Sequence, residues 1–260
     1  MSRLAASHLS VRRGGRTILD DVSFELEDGA FVAVVGANGA GKSTLLMALA
    51  GLLTPDAGTA SMDGQPVVRM DRRALARRRA YLPQNPRAEW PIAVERLVAL
   101  GLTPHLPAFG GLPGGWEPRL TEAIAACDLA AHRLQPATTL SGGELARAML
   151  ARALIGDPQV VIADEPVSGL DPRHALDTMA RLQGLAMRGK LVVAALHDLT
   201  LAARHATHLM ALKDGRLAAF GPTGATLSAD LLREVFQVEA RIGGEGPTAY
   251  VDYLGLAGLS

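Results

Sequence analysis

Three short stretches of the chain are continuously apolar, at 31–35, 160–163 and 191–196. Runs of this length are too short for helices, and strands that are apolar at every position are typical of a parallel sheet covered on both faces. The segments between these runs have apolar residues at helical spacing, as in STLLMALAGLL, GGELARAMLARALI and HALDTMARLQGLAMRG. Strands and helices alternate, so the predicted fold class is α/β, with a parallel core sheet flanked by helices.

Two further segments have the alternating pattern of half-buried strands. The opening stretch HLSVRRGGRTILDDVSFELEDG alternates between apolar and polar residues. Near the end of the chain, Asp214-Gly215 lies between two apolar stretches, which is a strong signal for a β-hairpin. We therefore expect antiparallel strands beside the parallel core.

The middle and the end of the chain differ in character from the sheet-forming parts. From about residue 85 to 155, glycine, proline and tryptophan are followed by alanine-rich helical sequence, which predicts a helical sub-domain inserted into the sheet. The segment SADLLREVFQ predicts a short helix, with a strand or two, in a C-terminal extension of about 225–260. We treat 1–260 as one domain with these two additions.

Charge and cysteine content exclude some classes of protein. Lysine plus arginine and aspartate plus glutamate number 26 each, so no global positive field collects nucleic acid, and we expect no nucleic-acid partner. Arg73 and Arg77 have the spacing of a solvated helix face. Cys127, the single cysteine, lies in an apolar run and is expected to be an inert core thiol. We expect neither a membrane span nor a secretory signal.

A glycine-rich loop follows the first apolar run directly and precedes a helix. The loop and the first helical residues are Gly36, Ala37, Asn38, Gly39, Ala40, Gly41, Lys42, Ser43 and Thr44. Glycines let backbone N–H groups approach phosphate oxygens, and the helix N-terminus adds a favourable dipole. In such a loop, Lys42 contacts the β- and γ-phosphates and the Ser43 hydroxyl is placed to bind Mg²⁺. The pattern predicts a nucleotide site.

Two acids end the second apolar run. Asp164 lies at the carboxyl end of the predicted strand, where ligands bind in open α/β sheets, and can hold Mg²⁺ there. Glu165 follows it directly and is suited to polarise an attacking water. Capping of the next turn is the alternative interpretation, although capping alone does not require two acids.

A second helix start with anion-binding character precedes these acids. Ser141, Gly142 and Gly143 open a predicted helix, where a hydroxyl and consecutive amides can bind phosphate. A chain with two such helix ends suggests two molecules that face each other.

Together these motifs resemble those of the ATP-binding cassette (ABC) ATPase family, in order from about residue 4 to 225. GANGAGKST resembles the Walker A motif, VVIADEP the Walker B motif, LSGGE the signature and SGLD, which ends at Asp171, the D-loop. Gln84 in YLPQN resembles the Q-loop residue, and His197 in ALHD resembles the H-loop residue. Six motifs in the family's order make the resemblance very specific.

The resemblance implies two ATP molecules held in a head-to-tail dimer. The Walker A loop of one subunit binds phosphate and Mg²⁺, and Ser141, Gly142 and Gly143 of the other close on the γ-phosphate. The family pattern makes Glu165 the general base, places His197 at the γ-phosphate, and makes Gln84 a Mg²⁺ ligand that senses the γ-phosphate. The segment after Gln84 is then the surface that faces a partner.

The chain departs from the family pattern in two places. The family commonly stacks an aromatic ring on adenine from the first strand, and Arg13 occupies that position here. A guanidinium plane can also stack on a base. Glu144 replaces the usual glutamine of the signature, a change that we expect to tune rates without abolishing function.

Within the family, the sequence resembles the separate ATPase subunits of bacterial importers. The stretches RRRAYLPQN and LVVAALHDLTLAARHATHLMALKDGRLAAFGPT are most similar to ATPases for iron-siderophores, haem and cobalamin. This implies a homodimer in the ATP-bound state, integral membrane permease subunits, indirectly a periplasmic solute-binding protein, and a peripheral location at the cytoplasmic face of the inner membrane. The alternatives are an importer for zinc, manganese or amino acids, an exporter, or a soluble ABC ATPase without a transport role.

Overall fold

The computed structural model describes residues 3–84, 86–107 and 115–258. Its strands are β1 (Arg3–Arg13), β2 (Arg16–Glu27), β3 (Phe31–Gly36), β4 (Ala57–Met62), β5 (Gln65–Pro66), β6 (Arg79–Leu82), β7 (Val160–Asp164), β8 (Leu191–Ala195), β9 (His208–Lys213), β10 (Arg216–Pro222), β11 (Val238–Gly243) and β12 (Tyr250–Leu256). Its α-helices are α1 (Lys42–Leu49), α2 (Arg72–Arg78), α3 (Val94–Ala99), α4 (Trp116–Ala126), α5 (Gly142–Leu154), α6 (Pro172–Met187), α7 (Leu199–His205), α8 (Thr223–Thr226) and α9 (Ala229–Phe236).

The main sheet has six strands in the order β10-β9-β3-β8-β7-β6, and all neighbours from β9 to β6 are parallel. The three continuously apolar runs form β3, β7 and β8, and every residue of these strands is buried. Val32 and Val34 pack into the core on one face of the sheet, whereas Ala33 and Val35 pack into the core on the other. The predicted parallel core with both faces covered is confirmed.

Antiparallel strands lie beside this core, as the alternating segments predict. A second sheet has four strands in the order β2-β1-β4-β5, of which β1 and β2 come from the opening stretch. The predicted hairpin joins β9 to β10, with Lys213 opposite Arg216. Asp214 and Gly215 both have positive φ, which is the conformation that this tight turn requires.

The middle of the chain builds a separate apolar cluster. Helices α3, α4 and α5 contribute to it residues such as Leu97, Ile124 and Ala148, all buried. Cys127 belongs to the same cluster, and burial raises the pKa of its thiol. The predicted core position of Cys127 is confirmed, and its inertness and the division of the chain into domains stay predictions. Residues 108–114 and Asn85 of this stretch lie outside the described residues.

Helix α2 presents the arginines that the sequence places on a solvated face. Arg73 and Arg77 are exposed, and the Nε of each donates a hydrogen bond to the carbonyl of Pro104, at 2.8 Å and 2.7 Å. The predicted solvated helix face is confirmed. Among the residues that the structure describes, no helix is long and apolar enough to cross a lipid bilayer.

The C-terminal part contains the predicted short helix and a β-hairpin. Helix α9 begins after Ser228, whose hydroxyl accepts a hydrogen bond from the Leu231 N–H at 3.1 Å. Strands β11 and β12 then pair with each other in a separate antiparallel sheet. Ala240 and Val251 of these strands are buried in the apolar core that also contains α7 residues, so the hairpin packs onto the main body of the chain.

Candidate functional site

The glycine-rich loop joins the end of β3 to the start of α1. A Cβ atom on Gly36 would lie 2.4 Å from the Leu212 carbonyl oxygen, and one on Gly41 would lie 2.7 Å from a Leu19 side-chain atom. Both glycines also have positive φ, so no other residue fits either position without strain. Helix α1 begins after Gly41 with no side-chain cap. Its first N–H groups are therefore directed at the loop.

Lys42 is buried at the centre of this loop, with 6% of its surface exposed. Its Nζ donates hydrogen bonds to the carbonyl oxygens of Gly36 at 2.8 Å and Ala37 at 3.2 Å. Burial lowers the pKa of the ammonium group, and the carboxylates of Glu165 and Asp164 oppose that effect. The loop thus holds one desolvated positive charge at the place where phosphate groups are expected.

Asp164 lies at the carboxyl end of β7, beside this loop. It is 4% exposed, and burial raises the pKa of its carboxyl group, whereas a hydrogen bond with the Ser43 hydroxyl lowers it. Its Oδ1 is buried with no hydrogen-bond partner among the described residues. A buried carboxylate oxygen without a partner, next to a hydroxyl, is a donor set that suits Mg²⁺.

The carboxylate of Glu165 bonds to two side chains that follow other strands of the main sheet. Its Oε2 accepts a hydrogen bond from Gln84 Nε2 at 2.6 Å, and its Oε1 pairs with Nε2 of His197. Gln84 follows β6 and His197 follows β8, the strands on either side of β7. Glu165 itself has positive φ. The structure brings together three of the sequence-predicted site residues in one hydrogen-bonded group.

A cleft of about 700 Å³ contains most of the predicted residues. Its lining consists of Ile18, Asn38, Gly39, Gly41, Lys42, Ser43, Thr44, Gln84, Glu165, Ser168 and His197. Ile18 and Ser168 are not among the predicted site residues. Ser168 begins the D-loop motif, which could have indicated it, but no pattern in the sequence singles out Ile18. The predicted residues Gly36 and Ala40 belong to the loop behind this lining.

Arg13 is not in the lining of the cleft. It ends β1 at the tip of the β1–β2 hairpin, opposite Arg16, and it is exposed. Ile18, on the same hairpin, is the residue that reaches the cleft. Stacking of Arg13 on adenine stays a prediction.

The predicted signature residues lie at the start of α5, outside the 700 Å³ cleft. A Cβ atom on Gly143 would lie 2.7 Å from the ring of His174. Asp171 caps α6 by accepting a hydrogen bond from the His174 N–H at 3.0 Å, and its other oxygen pairs with His174 Nδ1 at 2.7 Å. The D-loop and the signature are therefore neighbours, and within one chain the signature does not complete the phosphate-loop cleft.

Glu144 has a structural role that the motif alone does not show. Its carboxylate accepts a hydrogen bond from the Ser141 N–H at 2.8 Å, and the Ser141 hydroxyl accepts one from the Glu144 N–H at 3.3 Å. These two bonds form a capping box at the start of α5. Hydrogen bonding to Ser141 holds the pKa of Glu144 below its usual value.

We expect the Glu144→Gln variant to be slightly less stable than the wild type at pH 7. Glutamine can still close a capping box, so the change removes a negative charge near a helix N-terminus, which contributes about 0.3–1 kcal/mol, and the contact of that charge with His132 at 3.4 Å. Folding lowers the pKa of Glu144, so the stability that its charge contributes is fully present above the ordinary glutamate pKa. This contribution is lost as pH falls through the lowered pKa of the folded protein. Urea unfolding of the wild type and of the variant across this pH range measures the difference between their free energies of unfolding. A difference that does not shrink on acidification would contradict the assignment.

The sequence was compared with protein families and with known proteins. The ABC transporter family model matches residues 19–168. The chain is 41% identical over 245 residues to the hemin import ATP-binding protein of Rhodopseudomonas palustris, covering 90% of this chain and 88% of that protein. It is 38% identical over 249 residues to the cobalamin import ATP-binding protein of Halobacterium salinarum, covering 95% of this chain and 62% of that protein.

Solved structures show the same fold. One chain of a metal-chelate type ABC transporter in an inward-facing conformation aligns with a TM-score of 0.85 at 22% identity, over 99% of both chains. A dimeric bacterial ABC transporter cassette aligns with a TM-score of 0.73 at 26% identity, over 85% of this chain and 98% of that one. The family match covers more than half of the chain, and the cleft is lined by the family's phosphate loop and by Glu165. The chain therefore belongs to the ABC transporter family and is an ATP-binding, ATP-hydrolysing cassette of that family.

Proposed function

We propose that this chain hydrolyses ATP to energise import of an iron-siderophore, haem or cobalamin-type solute through separate membrane subunits. The observation that carries the chemistry is the group formed by Gln84, Glu165 and His197 opposite Lys42 in one cleft. The similarity to hemin and cobalamin import ATP-binding proteins over nine-tenths or more of the chain supports the solute class.

The loop between β3 and α1 binds the phosphates of ATP in this proposal. Backbone N–H groups of the loop and of the first residues of α1 point to the phosphate oxygens, and Lys42 supplies a buried positive charge. The residues that hold the nucleotide are Gly36, Asn38, Gly39, Ala40, Gly41, Lys42, Ser43 and Thr44. Arg13 is proposed to approach the adenine from the hairpin tip.

The oxygens of Ser43, Gln84 and Asp164 would hold Mg²⁺. The partnerless buried Oδ1 of Asp164 supports this proposal, because such an oxygen carries an uncompensated desolvation cost. When bound, Mg²⁺ would neutralise negative charge on the β- and γ-phosphates.

Glu165 acts as the general base in the proposed reaction. Its carboxylate orients a water molecule in line with the γ-phosphate and accepts a proton from it. In the free chain, His197 and Gln84 bond to the two oxygens of the Glu165 carboxylate. In the proposed reaction, water binds to this carboxylate, and the two side chains contact the γ-phosphate and the metal site. Glu165 is largely enclosed, with 11% of its side chain exposed, which limits competing solvent.

Two copies of the chain are required to complete each nucleotide site. The start of α5 lies outside the phosphate-loop cleft of its own chain, so Ser141, Gly142 and Gly143 are free to act on the site of a second copy. Asp171, which caps the helix adjacent to Gly143, would lie at the same junction. The similarity to a dimeric cassette supports a homodimer in the ATP-bound state.

A second concavity of about 980 Å³ is the proposed contact for the permease. Its lining comes both from strands of the main sheet and from helices of the middle segment, and it includes Glu165 together with Pro86 and Arg87, two and three residues after Gln84. Trp90 is exposed nearby in sequence. Docking there would place the chain at the cytoplasmic face of the inner membrane as a peripheral subunit. A periplasmic solute-binding protein would be an indirect partner. The proposal includes no nucleic-acid partner.

We expect a strain of the source organism that lacks this chain to lose uptake of one solute of the proposed class. Uptake of radiolabelled haem, a ferric siderophore and cobalamin is measured in the deletion strain, with and without a plasmid copy. The wild-type copy should restore uptake of one solute. The matched Glu165→Gln copy should not, because it lacks the proposed base. Normal uptake of all three solutes in the deletion strain would overturn the import proposal.

A further inference from the structure

The C-terminal β11–β12 hairpin packs against α7, the helix that follows His197. Arg204 of α7 donates a hydrogen bond from Nε to the Ala249 carbonyl at 2.7 Å. Thr200, also on α7, accepts a hydrogen bond from the Val251 N–H at 3.1 Å. Ala249 and Val251 are 6% and 8% exposed, and both hydrogen bonds are partly buried. The start of β12 is therefore fixed to one face of α7 by two polar contacts and by apolar packing.

Helix α7 in turn controls where His197 lies. The helix begins at Leu199, two residues after the histidine, and Asp198 caps it by accepting a hydrogen bond from the Leu201 N–H at 2.9 Å. The side chain of His197 is 48% exposed, so packing around the ring does little to hold it. Its position depends on the backbone, which β8 fixes on one side as far as Ala195 and α7 fixes on the other.

Two further observations connect the hairpin to the same place. His197 and Arg204 line one cavity of about 440 Å³, which also borders Glu165. Burial raises the pKa of Tyr253 on β12, and the charge of Asp198 raises it further. The C-terminal segment thus contacts α7 at two places one helical turn apart, Thr200 and Arg204.

We infer that the β11–β12 hairpin is a brace that positions His197 against Glu165, with Thr200 and Arg204 as the positioning residues. This inference rests on the role proposed above for His197. No described residue of the hairpin lines the phosphate-loop cleft, so the brace acts on the chemical step through the histidine and not on ATP binding. Loosening it lowers kcat and leaves the KM for ATP nearly unchanged, because its two hydrogen bonds hold α7 and not the loop between β3 and α1.

The first test replaces Thr200 by valine, which keeps the shape of the side chain and removes the acceptor for the Val251 N–H. We expect kcat to fall about tenfold with KM for ATP within about twofold, since small misplacements of a catalytic group cost this much or more. Thr200→Ser keeps the hydroxyl and should retain the wild-type kcat. Arg204→Met should behave like Thr200→Val, whereas Arg241→Met, which removes an exposed arginine from β11, is the matched control and should change nothing.

The second test is a double-mutant cycle with His197→Ala. Turnover is measured by release of radiolabelled phosphate with enzyme in excess, so that slow variants are quantified. If the brace acts through the histidine, Thr200→Val lowers kcat in the wild-type background and changes it by less than about twofold in the His197→Ala background.

Three results would overturn or reassign the inference. Wild-type kcat in both Thr200→Val and Arg204→Met would show that the hairpin does not position the site. An equal loss in both backgrounds would show a general effect of the hairpin on folding, and thermal unfolding of each variant would register it as a lowered Tm. Wild-type turnover of the His197→Ala single variant would instead contradict the proposed role of the histidine, and therefore also the role of the brace.

Discussion

The Glu165→Gln variant is expected to bind ATP normally and to lose nearly all turnover. Glutamine is almost the same size and can still bond to Gln84 and His197, but it cannot accept a proton from water. Loss of a general base lowers rates by about 10²–10⁴-fold. Steady-state phosphate release and equilibrium titration with ATP measure the two quantities on the same protein preparation.

The same variant also tests whether two copies share the nucleotide sites. With hydrolysis blocked, the ATP-bound state accumulates, so size-exclusion chromatography with Mg-ATP should show a dimer that is absent without nucleotide. The control is Glu165→Gln combined with Ser141→Ala, which removes the hydroxyl proposed to act on the second copy and should weaken the dimer. Unchanged hydrolysis in Glu165→Gln would remove the base assignment. A monomer with bound ATP would contradict action of the signature in trans.

Lys42→Ala is expected to weaken ATP binding itself. The ammonium group is buried and already desolvated within the loop, so it contributes a hydrogen bond to a charged partner without a further desolvation cost. A bond of that kind contributes about 1.5–3 kcal/mol, which corresponds to roughly 10-fold to 150-fold in Kd. Titration calorimetry with ATP measures the change.

Lys213→Ala is the matched control, because it removes the same charge from the end of β9 on a strand that does not line the cleft. Its affinity for ATP should equal that of the wild type. Lys42→Ala also removes a positive charge from the neighbourhood of Asp164 and Glu165, so its thermal unfolding is measured beside the titration. Equal ATP affinity in the folded Lys42→Ala protein would contradict the phosphate-loop assignment.

The parallel core could be predicted from the sequence because its central strands are buried on both faces. That requirement makes β3, β7 and β8 continuously apolar over residues 31–35, 160–163 and 191–195, a pattern that is not typical of loops. The Asp214-Gly215 hairpin was equally clear, since its turn needs two positive φ angles. Weaker patterns were missed, such as the short β4 and β5, which have few alternating positions and join a sheet formed by distant strands.

The candidate site could be predicted only in part, because its geometry depends on strand order. Gln84 and His197 lie 81 and 32 residues from Glu165 along the chain, and they meet because β6 and β8 flank β7. Residue spacing contains no information on strand order, and the family resemblance supplied the grouping of these three residues. Ile18 was missed because it reaches the cleft from the separate antiparallel sheet, where an apolar residue on a strand indicates only packing.

The buried Cys127 makes the chain well suited to spectroscopic labelling. It is the single cysteine, it is 4% exposed, and its pKa is raised, so little reactive thiolate is available at neutral pH. A cysteine introduced at an exposed position would therefore carry a maleimide dye or spin label alone. Met187, at the end of α6 and 82% exposed, offers such a position. Distances between labels on two copies of the chain could then follow closure and reopening in real time, with the native thiol left in place.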